Sequence, residues 1–274
     1  MTAALPDTFF WLAALLSSAI TAFVVVTASV LVERASPFIG AMVASLPIAA
    51  SAAYVILAIQ HPPDYIMQSA IGSITTMGVN AIFGLVYAAL AWRHGFLLSL
   101  SGAFVVWFIG AYLIRLFEWT IVIALVFNVV SYVIAIALMY LYLSEPLTRR
   151  LEVRRIDIVT RAITVALFVG TLAILSRYIG SFVAGMLAIF PAVMGSFIII
   201  MHRRIGGRAT SFVLAQLQIS GFALGLSFVP MYFGVQWFGV WWALLLALVT
   251  DMVLSTTFLL YQDRQARRRA AAAQ

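Results

Sequence analysis

The sequence predicts an all-α polytopic membrane protein with about nine transmembrane helices, arranged as two inverted four-helix repeats around a linker helix. Three observations carry that expectation. The 274-residue chain is 65% hydrophobic and only 9% charged, with a mean hydropathy of +1.11. Soluble domains carry roughly 25% charged residues and need polar surface to face water. Its apolar residues also form long continuous runs rather than alternating with polar ones. In lipid the backbone must satisfy its own polar groups, and runs of this kind do so as helices. Finally, the first half of the chain echoes the second at a spacing of 144 positions.

Taken in order, nine segments are long enough for a hydrocarbon core of roughly 30 Å. They cover residues 9–32, 37–60, 66–92, 96–114, 119–143, 160–176, 178–201, 210–233 and 238–261. The stretch 95–143 is too long for one crossing, and Arg115 and Glu118 divide it in two. The opening MTAALPDTFF has no basic region ahead of its apolar run, so the first segment is expected to stay as a span. SEPLTRRLEVRRIDIVTR, residues 144–161, is the one long polar connection and the natural boundary between halves. The expected units are residues 1–116 (first repeat), 117–148 (linker helix), 149–262 (second repeat) and 263–274, a basic tail frayed or lying at the cytoplasmic surface.

All 16 basic residues are arginine, a bias of high-GC bacterial genomes, and the formal charge is +7. With nine crossings and the N-terminus outside, 14 arginines fall on the cytoplasmic side and only Arg115 and Arg177 fall outside. That is the positive-inside pattern of an inner-membrane protein with a cytoplasmic C-terminus. The basic excess therefore reports topology and contact with anionic lipid, not nucleic acid. The expected partners are the bilayer and a small-molecule solute, and a homodimer is compatible with the sequence.

The repeat is clearest where SPFIGAMVASLPIAAS meets GSFVAGMLAIFPAVMGS. Phe38 pairs with Phe182, Met42 with Met186, Ala44 with Ala188 and Pro47 with Pro191. The same offset aligns Gly95 with Gly239 and Ala103 with Ala247. The unit is four helices, with the fifth segment left between the copies. An odd count between equivalent helices makes the copies inverted, the arrangement behind alternating access.

Pro47 and Pro191 fall near the middle of segments 2 and 7, among small residues such as Gly40, Ser45 and Gly185. A mid-helix proline removes one hydrogen bond and costs ~3 kcal/mol in an isolated helix. Matched Gly/Pro interruptions in two halves point to a transporter's central site. An ordinary kink is the blander reading. Freed carbonyls are expected at Val43 and Leu187. Thr76 and Asn80 in segment 3, and Gln216 and Ser220 in segment 8, each share a helix face and either line a polar pathway or tie helices together. Asp251 is the one carboxylate deep in a span. An ionised group there is costly, so it marks either proton coupling or a hydrogen-bonded structural role. The tryptophans, Trp107 among them, are read as an interfacial belt.

Cysteine is absent, which removes disulfides and thiolate chemistry. His61, His94 and His202 are scattered along the chain, so no metal site or cofactor is expected. No nucleophile–base pair or nucleotide-binding motif stands out, and no enzyme activity is expected.

The segment RYIGSFVAGMLAIFPAVMGSFII, residues 177–199, resembles the GlpM-like family of four-span bacterial inner-membrane proteins through Tyr178, Ile179, Gly185, Phe190 and Pro191. The first half carries Leu46 where that pattern has Phe. The resemblance implies a tandem duplication of that unit over about 30–143 and 160–262, and an inner-membrane location. A weaker resemblance, through the proline after SPFIGA and the duplicated organisation, is to the drug/metabolite transporter superfamily, whose members usually have ten spans. The expected function is a secondary transporter or exporter of a small organic solute, proton-coupled through Asp251. The alternative is a non-transporting scaffold or accessory factor for envelope biogenesis.

Overall fold

A computed structural model of the chain describes residues 48–143, 163 and 167–272. The first predicted span, the first half of the second, the whole polar connection, and Gly40, Ser45 and Pro47 lie outside the described residues. Among the described residues the structure is helical, with no strand. Helix α1 covers Ile48–Gln60, α2 Pro63–Ala91, α3 Phe96–Ile114 and α4 Ile121–Leu138, with a π-helical turn over Met139–Leu143. Then come α5 (167–175), α6 (Ser181–Ala188), α7 (Ala192–Phe238) and α8 (Val240–Ala272). Five of these, α2, α3, α4, α7 and α8, are long and apolar enough to cross a membrane.

Local chemistry explains the boundaries. Pro63 opens α2 at a position that has no use for its missing N–H, and Asp64 meets the positive end of the helix dipole. Helix α3 ends at Ile114, where the Trp119 indole donates to the Ile114 carbonyl at 2.6 Å. Thr120 then caps α4, its hydroxyl accepting from the Ile123 N–H at 3.3 Å. Helix α7 is two helices in sequence, because Gly206 adopts φ 81 and ψ 169 between them. That left-handed angle suits glycine alone. Helix α8 continues through the basic tail to Ala272. Alanine, arginine and glutamine are strong helix formers, and they extend the last span beyond its apolar part.

Side-chain contacts fix the helix directions. Along α2, residues 69, 73 and 80 meet 181, 185 and 189 in turn, so α2 and α6 run parallel. Helix α4 is also parallel to α2, through Asn128 on Ile74 and Ser131 beside Gly78. Helix α3 is antiparallel to α2, with Gly102 against Leu90 and Gly110 against Val79. The second part of α7 is antiparallel as well: Ala91 lies on Gly207, Ser211 reaches Ala88 and Gln218 reaches Ala81. Helix α8 turns back along α7, with Gly234 against Ala243.

Helix α2 is the hub, buried along most of its length and packed by α3, α4, α6 and α7. Two close approaches need glycine. A Cβ on Gly72 would overlap the Phe182 carbonyl, and one on Gly185 would overlap the Ser69 carbonyl. Small residues let helices approach closely where lipid supplies no hydrophobic drive between them. The outer faces of α3, α4 and α8 instead expose Phe108, Val126, Val133, Trp242 and Val253, the surface that a hydrocarbon environment accepts.

Candidate functional site at a helix break

The predicted seventh span is interrupted. Helix α6 stops at Ala188, Ile189 sits at φ −110 and ψ 15, Pro191 at φ −76 and ψ 40, and α7 begins at Ala192. Proline brings no N–H, and the residue before it is pushed away from helical angles. The expected free carbonyl at Leu187 is in fact used: it accepts the Phe190 N–H at 2.9 Å in a tight turn. Next to the break, the carbonyls taken up by another helix are those of Gly185 and Ile189.

Both are taken by α2. Ser73 donates to the Gly185 carbonyl at 2.8 Å and meets the Tyr54 hydroxyl at 2.7 Å. Since the serine proton is spent on the carbonyl, Tyr54 is the donor to Ser73. Asn80 donates to the Ile189 carbonyl at 2.9 Å and accepts from the Trp107 indole at 2.7 Å. Ser69 adds a bond to the Ser181 carbonyl at 2.9 Å. One polar stripe of α2 thus reads the backbone of α6 through its break.

Phe190, inside the break, is ringed by aromatic side chains. Its centroid lies 4.8 Å from Trp107, 5.6 Å from Phe168, 6.0 Å from Phe104 and 6.2 Å from Phe108. Trp107 is therefore no interfacial belt residue. It is buried at mid-α3 because Asn80 satisfies its N–H there.

The structure brings Asn80, Gly185 and Pro191 to one place and leaves the other predicted residues elsewhere. Thr76 bonds back to the Gly72 carbonyl of its own helix at 2.8 Å. Gln216 and Ser220 are half-buried on α7, while Gln218, on the opposite face, is the residue that reaches α2. Asp251 is buried in α8, and neither carboxylate oxygen has a hydrogen-bond partner among the described residues. Ser255, one turn on, is buried and is the polar neighbour of Asp251. Among the described residues no three His, Asp or Glu side chains gather as a metal site would. Sequence reasoning missed Ser69, read Trp107 as a belt residue and gave Phe190 no role in a site; the spacing of Ser69 and Ser73, one helical turn apart, was the available signal for the first.

A second cluster lies at the end of the bundle formed by the α1–α2 and α5–α6 turns. His61 Nε2 meets Ser176 Oγ at 3.1 Å, and Ser176 Oγ lies 3.1 Å from Gln60 Oε1. The Tyr65 hydroxyl donates to the Ser176 and Ile179 carbonyls at 2.9 and 3.1 Å, and its ring stacks on His61 at 3.8 Å. Burial, then the nearby Arg177 charge, lowers the His61 pKa below its ordinary value.

No protein-family model, curated protein or solved structure matches the chain.

Proposed function

We propose that the protein is a secondary transporter or exporter of a small organic solute in a bacterial inner membrane, coupled to protons through Asp251. The observation that carries this reading is the interruption at Ile189–Pro191, with Asn80 and an aromatic cluster beside it. Discontinuous helices frame the central site in transporters built from inverted repeats.

In this reading the chain crosses the membrane nine times, N-terminus outside, as two inverted copies of a GlpM-like unit. Two features support the inversion. Helical geometry begins at Pro63 and Phe96 and again, 144 positions on, at Gly207 after the Gly206 break and at Val240. Helix α2 and its counterpart 207–238 also run antiparallel, as equivalent spans of inverted copies must. The burial of the Asp251 carboxylate supports coupling, because a buried ionisable group in a span is costly unless it is used.

The scaffold reading is favoured by a different observation: the α2 side chains Ser69, Ser73 and Asn80 all bond to α6 carbonyls. Such bonds are helix glue, at ~0.6 kcal/mol each in measured membrane proteins. A thermal-shift screen of the purified protein against metabolites, followed by flux into liposomes, separates the two. Transport predicts that a solute stabilises the protein and crosses the bilayer, and that Asp251→Asn abolishes proton-driven uptake while inserting normally. A fully active Asp251→Asn protein contradicts the coupling role. A protein that no solute stabilises and that carries no flux is the scaffold.

A further inference from the structure

We propose that ordered water is bound at the middle of the bundle, in the seam between α2, α4 and α7, by Asn128, Tyr132 and Gln218; the inference does not depend on transport. All three side chains are fully buried. Among the described residues, Asn128 Oδ1, the Tyr132 hydroxyl and Gln218 Oε1 have no hydrogen-bond partner. The orientation of the two amides is forced. Asn128 Nδ2 donates to the Ile74 carbonyl at 3.1 Å, and Gln218 Nε2 donates to the Ala81 carbonyl at 2.9 Å. A carbonyl accepts only from a donor, so in each amide the oxygen is the atom left over.

The three groups form a file. Asn128 and Tyr132 are one turn apart on α4, and they meet Gly225 and Gly221, one turn apart on α7. A Cβ on Gly225 would overlap the Asn128 amide, and one on Gly221 would overlap the Tyr132 hydroxyl. Gln218 comes next along α7, just before Gly221. The file is anchored at its two ends on Ile74 and Ala81, which are about 10 Å apart along the axis of α2. Helix α2 runs from Pro63 to Ala91, so that interval straddles its midpoint at Met77.

A buried polar atom without a partner costs more than a hydrogen bond returns, because the group has given up its hydration for nothing. Protein interiors resolve such groups with ordered water, which needs at least two polar partners within reach. One helical turn rises about 5.4 Å. A water making two hydrogen bonds of about 2.8 Å spans that interval. One water between Asn128 Oδ1 and the Tyr132 hydroxyl, and a second between that hydroxyl and Gln218 Oε1, satisfies all three groups. Each water donates to an amide oxygen, and the tyrosine hydroxyl donates to one water and accepts from the other. The waters tie α4 to α2 and α7 at mid-depth, where lipid supplies no hydrophobic drive between helices.

The test uses the full chain in lipid nanodiscs. A brief X-ray pulse turns water into hydroxyl radicals, which label the side chains beside bound water, and mass spectrometry reads the label. Tyr54 is the control, because it is also buried but has its hydroxyl on Ser73 at 2.7 Å. Tyr132 is expected to be labelled several-fold faster than Tyr54. Tyr132→Phe gives a second readout, whose sign differs between a wet and a dry seam. With water bound, the variant loses a bonded hydroxyl, and its unfolding equilibrium is expected to move about fivefold toward the unfolded chain. In a dry seam it loses a hydroxyl that bonds to nothing and is at least as stable as the parent. Labelling of Tyr132 no faster than that of Tyr54, or a Tyr132→Phe protein as stable as the parent or more so, overturns the proposal. If Tyr132→Phe fails to fold, the labelling ratio in the parent decides alone.

Discussion

Gly185 shows how much a missing side chain decides here. It puts the α6 backbone against Ser69 of α2, and a methyl group would force the two helices apart. Gly185→Ala is expected to cost about 1–3 kcal/mol, as other overpacked sites do. Gly95, which has nothing within 4 Å of an added Cβ, is the control: Gly95→Ala should unfold at the parent's denaturant concentration. A second residue-scale consequence concerns His61, whose pKa is lowered by burial and then by Arg177. The unfolded chain then takes up its proton first as pH falls. Stability is full above the unfolded value of about 6.5 and declines as pH drops from there toward the lower folded value. Thermal unfolding at pH 7.5 and 5 should show this decline, and His61→Gln should remove the part of it that His61 causes. Sequence alone marked Gly185 as a small residue near a proline. It could not say which backbone the glycine meets, because that partner, Ser69, lies in a different predicted span.

At the scale of the element, the break in the seventh predicted span is the feature that organises its neighbours. Pro191 made the interruption legible in the sequence, and the surrounding small residues made close approach legible too. The carbonyls that need rescue were not, because the turn through Phe190 uses the Leu187 carbonyl and passes the deficit to Gly185 and Ile189. Asn80 was legible as a polar residue in a span but not as the group that meets Ile189 and Trp107 together. Asn80→Ala leaves both of those groups without partners in a buried site. It is expected to destabilise the protein by about 1–3 kcal/mol in denaturant unfolding. Thr76→Val, which removes only a hydroxyl bonded to its own helix, should cost less than half as much. Equal costs would mean that the break is held by something other than Asn80. The extension of α8 to Ala272 shows the opposite limit: hydropathy marks where lipid contact ends, and helix propensity decides where the helix ends.

For the whole molecule, the helical class followed from composition and apolar run length, and the described helices fall within or close to the predicted segments. Their mutual directions did not follow from periodicity. They rest on contacts such as Gln218 with Ala81 and Asn128 with Ile74, residues far apart in the chain. Those directions place α2 parallel to α4 and α6 and antiparallel to α3 and the second part of α7; an inverted second half is the proposed reading of them. If the halves rock against each other, the two ends of the bundle open in turn. The His61–Ser176 cluster lies at one end and Tyr87 with His202 at the other. The cysteine-free chain accepts pairs of spin labels directly. One pair at Asp64 and Tyr178 reports the first end, and another at His94 and Arg203 reports the second. Distances measured in lipid nanodiscs by pulsed electron resonance should show two populations for each pair, one lengthening as the other shortens when proton concentration changes. A single narrow distance for both pairs under every condition would contradict alternating access and leave a rigid scaffold.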